Sequence, residues 1–325
     1  MPNAMSDWLE RWQIPLYVLA ISAGVAVGLS LPGAKKLEVA INPALMLLLY
    51  ATFLSIPLTR IGRVLRDARF LAGLVVLNFL LVPVVVYLLS RFVADEPALL
   101  IGVVFVLLTP CIDYVIVFSG LAGAEHDRLL AAAPVLMLLQ ILLLPVYLSL
   151  FVGQAFFGII DTAPFLEALV FLIIIPLVFA AATQFLATRF RFAQHILRLF
   201  ESLMVPLVML TLGVVVASQI DGVRTELEPL LRVIPLYVLF LIIMVPLGIL
   251  TSRLFHQDVA TARATVFSGA TRNSLVVLPL ALALPDSLSL VAVVVVTQTL
   301  IELAGMVVYV RFIPRVVSHK AVSHR

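Results

Sequence analysis

The chain has 325 residues, of which 63% are hydrophobic and 12% are charged, and its formal net charge is +3. Soluble domains carry about 25% charged residues, so the composition excludes a soluble globular protein and indicates a polytopic, all-α membrane protein. Cys111 is the single cysteine, which excludes internal disulfides, multi-cysteine zinc sites and iron–sulfur clusters. The sequence contains no phosphate-binding glycine loop, nucleophile elbow or zinc-binding helix motif, so neither an ATPase nor a soluble enzyme is expected.

Apolar runs taken in chain order predict ten transmembrane helices. Each run is near the length needed to span about 30 Å of hydrocarbon. The first run follows a polar stretch and has no small-residue cleavage pattern, so we expect it to be a retained helix. The predicted segments one to ten are Ile14–Leu31, Val39–Leu58, Phe70–Ser90, Ala98–Leu121, Leu129–Val152, Pro164–Leu186, Ser202–Ile220, Leu230–Ser252, Ala260–Leu284 and Ser289–Phe312.

The basic residues predict the orientation of these segments. Fifteen lie in the two terminal stretches and the loops on their side, five lie in the opposite loops, and Arg272 lies inside segment nine. Because cytoplasmic loops carry the excess of Lys and Arg, both termini are predicted to be cytoplasmic. The protein is expected to be a multi-pass protein of the plasma membrane. The same bias explains the positive net charge without a nucleic-acid partner.

Segments four and nine each contain a polar interruption. Thr109-Pro110-Cys111-Ile112-Asp113 lies in the middle of segment four, and Thr271-Arg272-Asn273-Ser274 lies midway along segment nine. Pro110 has no amide proton for the carbonyl of Val106. Unpaired backbone groups in hydrocarbon cost several kcal/mol, so such breaks persist only where they face protein or a wet cavity. Paired broken helices are typical of transporters whose substrate site lies at the membrane midplane.

Ten segments divide into two halves of five with inverted topology. Segment one would enter the membrane from the cytoplasm and segment six from outside, which puts the interrupted segments at equivalent positions. Pro83 and Pro246, in segments three and eight, fit the same pairing. We therefore predict one transmembrane transporter domain, residues 1–325, with inverted repeats at approximately 14–152 and 164–312. Helices four and nine are predicted to be discontinuous and to cross.

Three charged residues lie near the predicted mid-depth of the membrane: Asp113, Arg272 and Glu302. Insertion of a carboxylate at this depth is unfavourable by about 2.5–3.5 kcal/mol on insertion scales. The electrostatic attraction between Asp113 and Arg272 in contact would be about 4 kcal/mol at an effective dielectric near 20. Two interpretations of an Asp113–Arg272 pair are open. It is either a structural ion pair that locks the crossing or a pair that opens when substrate or a proton arrives. Glu302 leaves a net charge of −1, which favours proton binding, and Glu302 and Asp113 are the predicted coupling residues.

Cys111 follows the proline in the interruption. A lone buried cysteine commonly serves as a small hydrophobe. The alternative is that the thiol of Cys111 is a soft ligand and faces the same cavity as Asp113 where the helix is unwound. Arsenite, As(OH)3, is small, polar, neutral and thiophilic, and a single thiol would bind it weakly and reversibly.

The candidate site residues fall into two groups. The predicted substrate-binding residues are Cys111, Asp113, Arg272, Asn273 and Ser274. Weaker candidates could line the cavity or simply form hydrogen bonds between helices; these are Asn78, Thr109 and Gln298.

Several motifs resemble those of the ACR-type arsenite efflux permeases in the bile acid:sodium symporter superfamily. They are the run from Pro43 to Arg60, the basic stretch Arg63 to Arg69, Asn78, Pro83, Thr109-Pro110-Cys111 with Val115 to Phe118, the Asn273 region, and Thr297 to Glu302. The resemblance covers most of the chain. It implies a ten-helix inverted repeat whose fourth and ninth helices cross at unwound centres. It also implies that Cys111 engages arsenite and that Glu302 is tied to transport.

The chain departs from these relatives at several positions. Sodium-coupled members carry a glutamate and glutamines in helix nine that ligate sodium, whereas Ser268 and Arg272 occupy those positions here. Asp113 replaces a small residue of the arsenite permeases, and Leu275 replaces a glutamate. These differences argue against sodium coupling and indicate a divergent member.

The sequence therefore predicts a secondary active transporter and no enzyme. The first hypothesis is efflux of arsenite or a related metalloid by proton antiport. The alternative is a sodium- or proton-coupled symporter of small organic anions, with Arg272 as the counter-charge. An intramembrane enzyme or sensor would need a catalytic pair or an appended soluble domain. The expected partners are a small-molecule substrate and the lipid bilayer. No nucleic acid, obligate protein partner, resident metal or cofactor is expected, and the driving force is an ion gradient, with protons favoured over sodium.

Overall fold

The computed structural model describes residues 8–9, 12–31, 33–55, 67–111, 114–153 and 170–318. The first half of the chain holds α1 (Gln13–Ser30), α2 (Ile41–Ser55), α3 (Ala68–Val76), α4 (Val82–Ser90), α5 (Pro97–Leu107), α6 (Tyr114–Leu121) and α7 (His126–Phe151). The second half holds α8 (Ile175–Ala187), α9 (Arg191–Thr225), α10 (Leu227–Leu254), α11 (Val259–Ala270), α12 (Ser274–Leu282) and α13 (Leu290–Val316). Short 3₁₀ turns occur at Ala34–Ala40, Arg91–Val93 and Asp286–Leu288, and π-helical turns at Leu77–Leu81 and Val170–Ile174.

Six helical stretches in the described part of the chain are long and apolar enough to cross a membrane: Ala34–Ser55, Ala68–Val93, His126–Phe151, Arg191–Asp221, Leu227–Leu254 and Leu290–Val316. Shorter apolar helices cover Pro15–Ser30, Pro97–Leu107 and Ile175–Ala187. These findings confirm an all-helical, multi-pass membrane protein. The number ten stays a prediction, because segments four and nine appear as pairs of short helices and part of segment six lies outside the described residues.

Helix α9 is longer than the apolar run that predicted it. Segment seven was expected at Ser202–Ile220, but the helix spans 35 residues from Arg191 to Thr225. Hydropathy marks only the apolar part of a helix. The preceding stretch from Arg191 to Glu201 combines charged and apolar residues of good helix propensity, so the helix continues through residues that were expected to form a loop.

The described residues group into two compact units, each drawing on both halves of the chain. The first unit lies within Met1–Ile56, Thr162–Leu227 and Leu282–Leu284. It contains α1, α2, α8 and α9, and α9 lies along α1. A Cβ added to Gly24 would lie 2.8 Å from the carbonyl oxygen of Gly213, so only glycine permits this approach. Between α2 and α8, Tyr50 and Thr183 share a hydrogen bond of 2.8 Å.

The second unit lies within Pro57–Asp161, Glu228–Ala281 and Pro285–Arg325, and it contains α3 to α7 and α10 to α13. Helix α5 lies close against α13, where a Cβ added to Gly102 would lie 2.5 Å from Cγ1 of Val294. The hydroxyl of Tyr237 donates to the carbonyl oxygen of Val294 at 3.2 Å, which fixes α10 to the same part of α13. This unit contains every predicted site residue that lies within the described part of the chain.

Arg263 joins three helix ends within the second unit. It lies on α11 and donates hydrogen bonds to the carbonyl oxygens of Ala122, after α6, and of Pro314 and Val317, at the end of α13. Cations are stabilising at helix C-termini, where backbone carbonyls lack intrahelical partners. Arg263 therefore holds the ends of α6 and α13 against the first turns of α11.

Exposed ion pairs lie at the helix ends of the same unit. Arg232 donates to both carboxylate oxygens of Asp95, at 2.6 and 2.9 Å, and these hydrogen bonds lower the pKa of Asp95. Arg128 donates to Asp67 at 2.9 Å. Exposed pairs contribute little to stability because water and salt screen them, so they orient the helix ends more than they hold the fold together.

Candidate functional site

The predicted break in segment four is present. Helix α5 ends at Leu107 and α6 begins at Tyr114. Pro110 supplies no amide hydrogen, and the hydroxyl of Thr109 takes over part of this role by donating to the carbonyl oxygens of Phe105 at 3.2 Å and Val106 at 2.9 Å. The helix therefore ends with its last carbonyls bonded to a side chain.

The predicted break in segment nine is also present, and it forms without a proline. Helix α11 ends at Ala270, and Thr271 is extended, with φ −87° and ψ 135°. The hydroxyl of Thr271 donates to the carbonyl oxygen of Phe267 at 2.8 Å. The side chain of Asn273 accepts the amide hydrogen of Val276 at 3.2 Å, as an N-terminal cap does, and so favours a new start at α12.

The two interruptions meet through backbone hydrogen bonds. The amide of Cys111 donates to the carbonyl oxygen of Thr271 at 3.1 Å, and the amide of Asn273 donates to that of Thr109 at 2.8 Å. These bonds form an isolated antiparallel bridge, which satisfies polar backbone groups that have no helical partner. We call the six residues at this junction the crossing: Thr109, Pro110, Cys111, Thr271, Arg272 and Asn273.

The side chain of Arg272 is fully buried and turns back along α11. Its Nη2 donates to Oδ1 of Asn78 at 2.8 Å and to the carbonyl oxygens of Ser268 at 2.7 Å and Gly269 at 2.6 Å. Its Nη1 donates to the carbonyl oxygen of Leu107 at 3.3 Å. Hydrogen bonds reduce the cost of a buried charge, and here neutral oxygens from three elements accept hydrogen bonds from both terminal nitrogens of the guanidinium.

Asn78 is held in place by its own amide group. It lies in the π-helical turn, and its Nδ2 donates to the carbonyl oxygen of Leu74 and to the hydroxyl oxygen of Ser268, both at 3.1 Å. Its Oδ1 is therefore the oxygen that points toward Arg272. Single π-helical turns inside α-helices occur frequently at functional sites.

Glu302 connects α13 to the crossing. It is 1% exposed, and its Oε2 accepts the backbone amide hydrogen of Arg272 at 2.8 Å. The side-chain amide of Gln298, one turn earlier, donates to the same oxygen. Near the start of α12, the hydroxyls of Thr299 and Ser274 form a hydrogen bond of 2.7 Å. Three polar residues of α13 thus face the second interruption.

Two buried polar atoms beside the crossing lack hydrogen-bond partners within the described residues. They are Nδ2 of Asn273, a donor on a residue that is 1% exposed, and Oε1 of Gln298, an acceptor on a residue that is 2% exposed. Most buried polar atoms are hydrogen-bonded, so an exception needs an explanation, and an unseen water or ligand is one. A donor and an acceptor together suit a small polar molecule.

The structure brings most of the predicted site residues together: Asn78, Thr109, Cys111, Arg272, Asn273, Ser274, Gln298 and Glu302. Cys111 lies in the crossing, and its side chain is buried. Asp113 lies outside the described residues, so its pairing with Arg272 stays a prediction. In the described part of the chain, no group of three or more His, Cys, Asp or Glu residues could hold a metal ion.

Sequence reasoning missed part of the site. The carbonyl oxygens of Leu107 and Gly269 contact Arg272, and every residue has a carbonyl, so no sequence signal selects them. The ring of Phe240 lies 5.5 Å from the guanidinium carbon of Arg272, a cation–π distance. Phe240 belongs to an apolar run of α10 in which nothing distinguishes it from its neighbours.

Comparison with known proteins gives one match. The profile described as the Sodium Bile acid symporter family matches residues 42–226, which is more than half of the chain and includes the first interruption. Comparison with curated proteins gave no match. Members of the matched family are membrane transporters, which agrees with the multi-pass helical fold and with two interrupted helices that meet inside it. The chain therefore belongs to the sodium bile acid symporter family.

Proposed function

We propose that this protein is a secondary transporter that exports arsenite, or a related metalloid, in exchange for protons, and that the substrate binds at the crossing. The observation that carries the proposal is that two neutral polar atoms beside the crossing have no hydrogen-bond partner within the described residues. Nδ2 of Asn273 and Oε1 of Gln298 are buried without described partners, and the thiol of Cys111 lies on the same junction.

The chemistry of arsenite fits such a site. Its three hydroxyl groups both donate and accept hydrogen bonds, which complements one amide nitrogen and one amide oxygen. Its arsenic atom binds soft sulfur ligands: the thiol of Cys111 displaces one hydroxyl group, which leaves as water with the thiol proton, and two hydroxyl groups remain for the amide groups. Because the molecule is uncharged, it needs no counter-charge, and the described hydrogen bonds of the Arg272 guanidinium are directed at protein oxygens.

Proton coupling is assigned to Glu302. A carboxyl group that is nearly inaccessible in one arrangement and reachable from water in another can carry a proton across. Glu302 contacts the backbone of Arg272, so a change in its protonation would alter a contact at the crossing itself. We propose no cofactor, no enzymatic activity and no obligate protein partner.

The proposed setting is the plasma membrane, with both termini in the cytoplasm and ten helices in two inverted repeats of five. The grouping of the helices supports the repeat. The first unit takes predicted segments one, two, six and seven, and the second takes the remaining six, so equivalent segments of the two halves fall in the same unit. The bias of 15 basic residues against five supports the orientation.

A second candidate function is the coupled symport of small organic anions. The description of the matched family and the buried positive charge of Arg272 favour it. Under this alternative the anion would approach the guanidinium, and the thiol of Cys111 would have no role.

The replacement of Cys111 by serine separates the two functions. Serine is nearly isosteric and keeps a hydrogen-bond donor, so folding should persist while soft-ligand affinity is lost. In cells that lack their own exporter, we expect the wild-type protein to confer arsenite resistance and the Cys111→Ser variant to lose it. Ser218→Ala, a buried polar change in the first unit, is the control and should retain resistance.

Two results would count against the proposal. Full arsenite resistance in a Cys111→Ser variant expressed at the wild-type level would eliminate the thiol mechanism. Uptake of a radiolabelled bile acid by wild type and Cys111→Ser alike, without arsenite resistance in either, would establish the organic-anion function in its place.

A further inference from the structure

A groove runs along α1 and α9 in the first unit, and only apolar residues line it. They lie within residues 20–27 of α1 and 209–217 of α9, and Leu37 of the 3₁₀ turn after α1 joins them. The groove has a volume of about 370 Å³. Ala23, Leu37 and Leu210 are exposed, so the groove is open to the surroundings of the protein. We call it the α1–α9 groove.

The length of the α1–α9 groove matches one leaflet of a bilayer. Ala20 lies near the middle of α1, which ends at Ser30. At 1.5 Å per residue, these two residues are about 15 Å apart along the helix axis. This distance is half of the roughly 30 Å of hydrocarbon in a typical bilayer. The groove therefore has the length and the apolar surface that suit one acyl chain.

Two lysines lie at the end of the groove where α1 ends. Lys35 and Lys36 are exposed and directly precede Leu37, which lines the groove. They belong to the five basic residues on the side opposite the termini, so the bias toward cytoplasmic Lys and Arg does not explain them. The ion pairs in the described part of the chain involve neither lysine. With Glu38 the turn keeps a charge of +1, which favours an anionic headgroup.

The packing of α1 argues against a second copy of the chain in the groove. Gly24 and Gly28 are four residues apart, the spacing through which transmembrane helices commonly form dimers. Here both glycines serve a contact within the chain. A Cβ added to Gly24 would lie 2.8 Å from the carbonyl oxygen of Gly213, and one added to Gly28 would lie 2.5 Å from that of Ala217. The glycine pair is therefore already used by α9.

We propose that the α1–α9 groove binds one anionic phospholipid. Its acyl chain lies between α1 and α9, and its phosphate lies beside Lys35 and Lys36. The apolar lining selects a hydrocarbon chain, and the two lysines select a negatively charged headgroup over a zwitterionic one. The inference concerns the first unit alone and does not depend on which substrate the protein carries.

Photocrosslinking of lipids to the purified protein in detergent tests the proposal. Phosphatidylglycerol and phosphatidylcholine carry the same photoreactive acyl chain, and mass spectrometry of the digested protein locates the crosslinks. We expect both lipids to crosslink to α1 and α9 along the groove, with phosphatidylglycerol reaching half-maximal crosslinking at the lower concentration. The double variant Lys35→Gln/Lys36→Gln should weaken phosphatidylglycerol about 5–30-fold at this position and leave phosphatidylcholine unchanged.

Matched variants separate the headgroup from the chain. Lys35→Arg/Lys36→Arg keeps the charges and should keep the preference for phosphatidylglycerol. Arg189→Gln/Arg191→Gln removes two exposed cations elsewhere in the unit and should not alter crosslinking in the groove. Ala23→Leu fills the groove and should weaken both lipids, whereas Ala182→Leu, at an exposed alanine of α8 outside the groove, should weaken neither.

Three results would overturn the proposal. The first is equal crosslinking of the two lipids in the groove of the wild type. The second is an unchanged preference for phosphatidylglycerol in Lys35→Gln/Lys36→Gln. The third is a dimer in detergent that Ala23→Leu dissociates, because a second copy would then occupy the groove. Ala23 and the lysines are exposed and are tested separately, so either variant decides the question if the other is not expressed.

Discussion

Replacement of Gly102 by alanine probes the contact that positions α13 beside the crossing. The added Cβ would lie 2.5 Å from Cγ1 and 2.7 Å from Cβ of Val294. Carbon atoms in contact are about 3.5–4.0 Å apart, so α5 and α13 have to separate by about 1 Å at this level. Gln298 and Glu302 lie one and two turns further along α13, so the separation would displace both from the crossing.

The magnitude follows from two opposing effects. Overpacking of this kind costs about 1–3 kcal/mol, whereas a glycine-to-alanine change in a helix interior gains about 1 kcal/mol. Gly213 of α9 offers a matched control, because a Cβ there would meet nothing closer than the carbonyl oxygen of Ala20 at 3.7 Å. The propensity gain is common to both variants, so the difference between them isolates the overpacking and should be about 1–3 kcal/mol.

Thermal scans with a thiol-reactive dye measure this difference in the purified proteins. We expect Gly213→Ala to unfold at or above the wild-type Tm, and Gly102→Ala to unfold below it and to transport more slowly. The reasoning is refuted if Gly102→Ala is as stable as Gly213→Ala, because α5 and α13 would then not lie as close together as described.

The remaining predictions concern coupling and a helix cap. Glu302→Gln keeps an acceptor for the amide of Arg272 but removes the proton carrier, so membrane vesicles should lose substrate accumulation driven by a proton gradient; accumulation at the wild-type level would assign coupling to another group. Asp258 caps α11 by accepting the amide hydrogen of Thr261 at 2.8 Å, so Asp258→Ala should lower the free energy of unfolding by about 1 kcal/mol. Asp127→Ala is the control, and because the side chain of Asp127 is exposed it should lower the free energy of unfolding almost not at all. Partial burial raises the pKa of Asp258, but hydrogen bonds from Thr261 outweigh this effect and hold the pKa below its ordinary value of 3.8. The stabilisation by the cap should therefore be complete above pH 3.8 and disappear as the pH falls through the lowered pKa. A loss of stability that is the same at every pH would contradict this assignment.

Both interruptions could be predicted from sequence, although they arise from different signals. At Pro110 the missing amide proton favours a break, although Pro134 and Pro145 lie inside the continuous helix α7 and show that a proline alone does not decide it. From Thr271 to Ser274 the only signal is four polar residues in an apolar run, which a helix at membrane depth could not leave unsatisfied. The contact between Glu302 and the backbone amide of Arg272 was not predicted, because charge counting paired Arg272 with Asp113 and left Glu302 as the surplus carboxylate.

The partners of Arg272 could not be predicted, because most of them are backbone atoms. Charge counting pointed to Asp113, which lies outside the described residues. The contacts that the structure describes depend on where α5 and α11 end and on how the side chain turns back at residue 272. Both depend on backbone angles set by tertiary structure, and a lone extended residue such as Thr271 leaves no mark in a hydropathy profile.

The backbone bonds at the crossing join parts of the chain that are made at very different times. The backbone groups of Cys111 and Thr109 find their hydrogen-bond partners in Thr271 and Asn273, which emerge from the ribosome roughly 160 residues later. At about 5–20 residues per second, the first interruption waits about 8–30 s for its partners. During that interval a proline-broken helix lies in the bilayer with unpaired polar groups. During synthesis, water, lipid headgroups or the insertion machinery therefore have to supply hydrogen bonds to the first interruption until the second interruption has been made.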